Sequence, residues 1–331
     1  MVVKKRKKKR GFRIKSSVKR FFIYALFFIL VFAYAFNQIR EIKAEYAYEK
    51  TYEYKLVKHG YSLENTQIFI SKLPDDKLDF LLNNDIESYY YDLVSQRYFL
   101  SKNFDTYLEY WKRHQSYNME TVVAIVNVHA NEGWYNVTYN TDTSLGNIML
   151  VNKFYMLDSE YKRDDLVKVP LQVAYANNSV SSEVLEHFQT MHDDIKNELG
   201  VNLMVNSSYR SYQDQADLYE NFKYRGQSYA DSYAARPGFS EHQTGLAIDI
   251  TSLEHKGQSA FSESEEYQWL KDNCWKYGFI LRYPKDKEII TGYSNESWHF
   301  RYVGEKVAKK IYDEGITFDE YYAFYIEGQK K

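Results

Sequence analysis

A single cysteine, Cys274, is all the thiol in this 331-residue chain, so no internal disulfide framework can hold it together. Cys274 follows Leu270 by four residues in an apparent helix, which predicts a buried small hydrophobe rather than a reactive group. Stability must come from a core, and 44% hydrophobic residues suffice for one. Acids are missing from residues 1–20, and charge of either sign is missing from Phe21 to Ile39. There are no internal repeats and no low-complexity tracts beyond the basic tail. A His-Glu-x-x-His helix is also absent, which excludes the most recognisable zinc-peptidase signature. Aromatics, by contrast, reach 18%, mostly through 34 tyrosines. Tyrosine packs its ring and keeps its hydroxyl wet, so this richness identifies no ligand by itself.

The two gaps in charge belong together. Eleven of the 43 basic residues lie in 1–20, leaving 32 bases against 45 acids, a net of −13, for the rest. Nineteen uncharged residues in a helix span about 28 Å, close to the hydrocarbon thickness of a bilayer. Positive charge stays on the cytoplasmic side, so 1–20 reads as a cytoplasmic tail and 21–39 as a single-pass anchor. Everything after Arg40 then lies outside the cell. Ala33-Tyr34-Ala35 also fits a signal-peptidase site, so a cleaved leader is the alternative. With the tail held at a membrane, no nucleic-acid partner is expected.

Residues 40–136 read as a stalk followed by a small helical module, opened by Ser62 and Glu64 and restarted at Pro74-Asp75-Asp76. Within it Val122–Val128 (VVAIVNV) reads as a buried strand. From 137 to 328 strands, loops and helices mix. Ser181 or Ser182 caps a helix with Val184, Phe188, Met191 and Ile195 on its apolar face, and Gly200 ends it. Ser211 opens a second helix, and Ser262-x-x-Glu265 reads as a capping box for a third. Val201–Val205, Gly245–Ile250, Phe279–Tyr283 and Trp298–Tyr302 read as strands. Without a repeating βαβ unit the fold class is α+β, a mixed or antiparallel sheet with flanking helices.

Two segments hold the candidate chemistry. In Gly245–Ile250, Leu246, Ile248 and Ile250 share one face, and Asp249 points the other way. His242 precedes that strand, and His299 alternates against Trp298 and Phe300. His242, Asp249 and His299 thus form a two-histidine, one-carboxylate set of the kind that holds a catalytic metal. Spacing alone leaves this open, because such residues scattered over a chain also arise by chance. Glu296 is the candidate base, provided the chain bends at Asn295–Ser297. A solvated loop glutamate is the plainer account. Arg210, between a strand and a helix, is placed to grip a carboxylate or simply to neutralise Asp214 or Asp217. His187 and His192 are five apart on one helix and cannot share an ion. His59, His114, His129 and His255 have no partner at ligand spacing, and each reads as a surface or core residue.

SSYRSYQDQ (Ser207–Gln215), GFSEHQTGLAIDI (Gly238–Ile250), KYGFILRYP (Lys276–Pro284) and ESWHFRYVG (Glu296–Gly304) together resemble the VanY-type D-alanyl-D-alanine carboxypeptidases. That family includes L,D-carboxypeptidases of bacterial cell walls. The likeness runs from about Asn140 to Tyr321 and implies a sheet of the hedgehog/DD-peptidase type. It implies that one zinc ion is held by His242, Asp249 and His299 and that Glu296 is the catalytic base. Arg210, Gln215 and Ser240 are then expected to line the substrate pocket. The implied substrate is a peptidoglycan stem peptide, with no obligate protein partner. Two departures stand out: Ser208 where glycine is common, and Ser297 where proline usually precedes the tryptophan. An L,D-carboxypeptidase, an endopeptidase or a non-catalytic wall binder that keeps zinc as a structural ion are the alternatives.

Overall fold

The structure is a computed structural model that describes residues 15–170 and 178–329. The chain divides into two compact units, one ending at Val94 and the other starting at Ser95. In the first, α1 (Ser16–Tyr48) is one unbroken 33-residue helix, and none of its residues is buried. It is long and apolar enough to cross a membrane. Four short helices follow: α2 (Tyr52–His59), α3 (Leu63–Lys72), α4 (Asp75–Asn83) and α5 (Ser88–Val94). Thr51 and Ser62 accept the first free N–H groups of α2 and α3, and Pro74 precedes α4. Leu56, Phe69, Leu81 and Leu93 are fully buried among them.

The second unit opens with α6 (Phe104–Arg113) and α7 (Met119–Asn127). Helix α7 corrects the strand expected over Val122–Val128. A short run apolar on every side has no period to read, and it suits a buried helix as well as a buried strand. The deciding residue is Asn118, whose Oδ1 accepts the Thr121 N–H and caps the helix. Val122, Val123, Ile125 and Val126 are all buried in it.

Two small pairings come next. Strands β1 (Tyr139–Asn140) and β2 (Tyr155–Met156) are parallel, whereas β3 (Leu166–Lys168) and β4 (Ser179–Ser181) are antiparallel. Helix α8 (Ser182–Leu199) ends at Gly200, where φ is +73°. The main sheet has β5 (Leu203–Ser207), β6 (Ala247–Ser252), β7 (Phe279–Leu281) and β8 (His299–Tyr302) in the order β5-β6-β8-β7, all antiparallel. Between them run α9 (Tyr212–Lys223), α10 (Gln227–Tyr233), α11 (Gln258–Ser262), α12 (Glu265–Asn273) and α13 (Glu288–Thr291). Helices α14 (Glu305–Glu314) and α15 (Phe318–Tyr321) close the unit. This bears out the α+β class. Ser211 and Asp214 form the reciprocal cap of α9. The cap of α12 is Ser264, not Ser262, which instead ends α11.

Alternation along the sheet decides where function can sit. Leu246, Ile248, Ile250 and Phe300 pack with Val184, Phe188, Met191 and Ile195 of α8 in one core. Burial of each such side chain stabilises the fold by about 1.5–3 kcal/mol. Ile248 pairs with Phe300 across β6 and β8, so the adjoining pair, Asp249 with His299, faces the opposite side.

Candidate active site

A tight turn places the first imidazole. Residues Glu241–Thr244 form one 3₁₀ turn that ends at Gly245 with φ +67°. A Cβ there would meet Leu166 Cδ2 at 2.8 Å, so the turn needs glycine. His242 lies in this turn, Asp249 in β6 and His299 at the start of β8. One donor atom from each lies within 4.8 Å of the others. His299 Nδ1 is 3.0 Å from Asp249 Oδ1, and His242 Nε2 is 3.4 Å from Asp249 Oδ2. The opposite ring nitrogens are occupied: His242 Nδ1 lies 2.6 Å from the Ser208 carbonyl oxygen and His299 Nε2 lies 3.3 Å from Glu241 Oε2.

These residues fit a divalent cation such as zinc. Bonds of about 2.1 Å at tetrahedral angles separate donor atoms by about 3.4 Å, close to the 3.0 and 3.4 Å that separate Asp249 from the two imidazoles. Acceptors behind both rings set the tautomers that free His242 Nε2 and His299 Nδ1 for a metal. The electrostatics agree. Burial opposes ionisation of Asp249, but the two imidazoles hold its carboxyl far below the usual range. Burial likewise opposes charge on His299, yet Asp249 and Glu241 push it up to about 9. His242 is pulled down, mainly by burial. One site thus offers a carboxylate, a neutral imidazole and an imidazole whose proton a dication can replace.

Glu296 reaches the cluster through the bend that its spacing requires. The His299 N–H donates to the Glu296 carbonyl at 3.2 Å, and the Glu296 N–H donates to Tyr283 O at 3.1 Å. The turn brings Glu296 Oε2 to 3.8 Å from His299 Nδ1. Burial is the main cause that raises its carboxyl to about 7, with His299 opposing. A nearby dication would favour its charged form. Glu296, Ser240, His242 and His299 share a cavity of about 60 Å³ walled by Tyr283 and Tyr293.

Arg210 and Gln215, expected to line the pocket, are not among the residues that wall this cavity; each is hydrogen-bonded to one that is, His242 and Ala235. The Arg210 N–H donates to His242 O at 3.2 Å, fixing the arginine beside the turn. Its Nη1 donates to Gln215 Oε1 at 2.7 Å and its Nη2 to Ser207 Oγ at 2.9 Å. Gln215 Nε2 in turn donates to Ala235 O at 2.7 Å. Asp214 is committed to the α9 cap, and among the described residues no carboxylate pairs with Arg210. The guanidinium is hydrogen-bonded to neutral oxygens, while Asp249, Asp214 and Glu296 favour its charge through space. Ser208, the residue in place of glycine, donates to Asn178 Oδ1 and accepts from the Ser179 N–H.

The largest omission of the sequence reading is Glu241. Its side chain is wholly buried and accepts from Arg282 Nε at 2.8 Å and Arg301 Nη1 at 2.9 Å, besides facing His299. Burial would raise its carboxyl, but the two guanidiniums overcome this and hold it well below the usual range. Arg282 also binds Asp319 of α15 at 2.5 Å. The signal available was Glu241's place beside His242, with Arg301 inside the apolar β8 and Arg282 directly after β7. Two histidines read as partnerless also have acidic partners: His255 with Glu266 at 2.7 Å, and His129 with Glu327 and with Glu132, only three residues on.

Comparison with known proteins covers this same region. The family model described as VanY, D-alanyl-D-alanine carboxypeptidase, matches residues 177–305. YodJ of Bacillus subtilis (strain 168), a candidate carboxypeptidase, is 41% identical over 182 residues, 53% of this chain and 66% of that protein. The bifunctional D-Ala-D-Ala dipeptidase and carboxypeptidase VanXYC of Enterococcus gallinarum is 32% identical over 187 residues, 54% of this chain and 95% of that one. The solved structure of the LdcB LD-carboxypeptidase is similar with a TM-score of 0.54 and 39% identity, covering 56% of this chain and 90% of the other. Three of the curated relatives are spanned over only 57–66% of their own length. With a relative matched over nearly its full length, this chain belongs to the VanY family of D-alanyl-D-alanine carboxypeptidases.

Proposed function

We propose that this protein is a zinc-dependent D-alanyl-D-alanine carboxypeptidase that removes the terminal D-alanine from peptidoglycan stem peptides. One observation carries the reading: His242, Asp249 and His299 converge within 4.8 Å, and Glu296 faces the same small cavity. When bound, zinc supplies Lewis acidity to the scissile carbonyl and to water. Glu296 accepts a proton from the attacking water and delivers it to the departing amine. Arg210, which no carboxylate among the described residues contacts directly, grips the terminal carboxylate, steadied by Gln215 and Ser207. Ser240 shapes the pocket wall, and Tyr283 and Tyr293 screen it from solvent. Helix α1 tethers the enzyme to the cell membrane, with residues 1–20 in the cytoplasm and the zinc site outside.

A second reading has its own support. LdcB, an LD-carboxypeptidase, shares 39% identity, whereas VanXYC shares 32%. The same groups would then trim tetrapeptide rather than pentapeptide stems. Incubation of the purified chain with both stems, with and without a chelator and then with zinc restored, decides. Zinc-dependent release from the pentapeptide is expected, release from the tetrapeptide alone would favour the second reading, and release unaffected by chelation would sink both.

A further inference from the structure

Beside the catalytic cavity lies a second hollow of about 400 Å³ to which the proposed reaction assigns nothing. Tyr293 lines both. Among the described residues that wall the hollow, Lys153 is the only base. It is 4% exposed, an uncommon place for an ammonium. Its Nζ donates to the Asp231 carbonyl at 3.0 Å and lies 4.4 Å from the Tyr293 ring centre and 5.6 Å from that of Tyr135. The Asp231 carboxylate, which with Glu288 also lines the hollow, is hydrogen-bonded by Arg236 and the Tyr219 hydroxyl, so it and Glu296 favour the Lys153 charge only through space. Among the described residues no carboxylate pairs with Lys153.

An ammonium carries three donors, and here one oxygen and two ring faces receive them. A buried charge with so few partners is costly until another anion arrives. Burial lowers the Lys153 pKa to about 8, so the group is still cationic at neutral pH. The departing residue of a carboxypeptidase substrate has a single carboxylate, which Arg210 takes. A second anion-binding group next door must therefore serve the part of the peptide that is retained. An extended chain advances about 3.3–3.6 Å per residue, so residues two or three back from the scissile bond can reach a hollow that shares Tyr293 with the catalytic cavity.

We propose that Lys153 is the anion-binding group of a subsite for a carboxylate on the acyl side of the scissile bond, a specificity role that rests on the carboxypeptidase reading. The enzyme then prefers stems whose second or third residue is a free acid over those in which that acid is amidated.

Binding separates the subsite from the chemistry. The probes are pentapeptide stems with D-glutamate at the second position or diaminopimelate at the third, each as free acid and as primary amide. Their Kd values are measured by calorimetry on the zinc-loaded full chain carrying Glu296→Gln. The free acid should bind about ten-fold tighter than the amide at one of the two positions. Adding Lys153→Met or Lys153→Gln should reduce the ratio to about two-fold or less, and Lys153→Arg should keep it. Circular dichroism checks the fold of each variant. Equal Kd values for acid and amide at both positions, or a ratio unchanged in a folded Lys153→Gln, would overturn the subsite. If the wild-type chain released D-alanine from neither acid nor amide, the carboxypeptidase reading would fall, and the binding ratios would still judge Lys153.

Discussion

Glu241→Gln keeps the shape of the buried side chain and deletes its charge. In the native network Glu241 faces Arg282, Arg301 and His299 at 2.8, 2.9 and 3.3 Å. Arg282 would still have Asp319. Arg301 would keep only carbonyl acceptors, at Asn147, Met149 and Tyr302, for a wholly buried cation. Removing one partner of such a pair costs about 3–5 kcal/mol. At roughly 2–4 °C per kcal/mol for a unit of this size, the melting temperature of the metal-free protein should fall by about 6–20 °C. His299 also loses the acceptor that orients its ring, so zinc affinity should weaken by about 10–100-fold. Scanning calorimetry reads the first effect and chelator competition the second. Adding Arg301→Met should recover part of the lost stability, because the stranded cation is then gone. Melting within about 2 °C of wild type together with unchanged zinc affinity would refute the claim that this carboxylate holds the site together.

Glu296→Gln should retain zinc, as judged by metal analysis, while D-alanine release falls by about 10²–10⁴-fold. Arg210→Lys keeps the charge but loses the forked donor, so KM for the stem should rise about ten-fold or more with a smaller change in kcat. Zinc affinity should rise with pH. Below about 9 the metal-free His299 carries a proton that the ion must displace, so competition titrations should show about ten-fold weaker binding per unit of acidification. The same shift stabilises the metal-free fold, fully below the unfolded-state value near 6.5 and no longer once pH has climbed through about 9.

Much of the site was legible because strands advertise their faces. The alternation of Leu246, Ile248 and Ile250 against Asp249, and of His299 against Phe300, is local, and the register of β6 with β8 turns it into one cluster. The bend that aims Glu296 was stated only as a condition, since it depends on hydrogen bonds from Glu296 and Asn295 to Tyr283, distant in sequence. Of the charge network only Glu241's place beside His242 and two arginines in apolar runs were visible, and their pairing was not. Glu241 meets Arg282 and Arg301 across 41 and 60 residues, and nothing local marks an arginine in an apolar strand as paired rather than exposed. Helix α7 was misread for a different reason: valine favours strands, but packing on several sides and an asparagine cap outweigh that weak preference.

Asp319 of α15 stands 37 residues beyond Arg282, yet it grips that guanidinium deep inside the second unit. With α15 undocked, Arg282 would have only Glu241 for an ion pair, and Glu241 must also answer to Arg301. The carboxylate behind His299 is thus steadied at one remove, by a helix remote from it in sequence. Local opening of α15 would leave every candidate metal donor present and the cage around them loose.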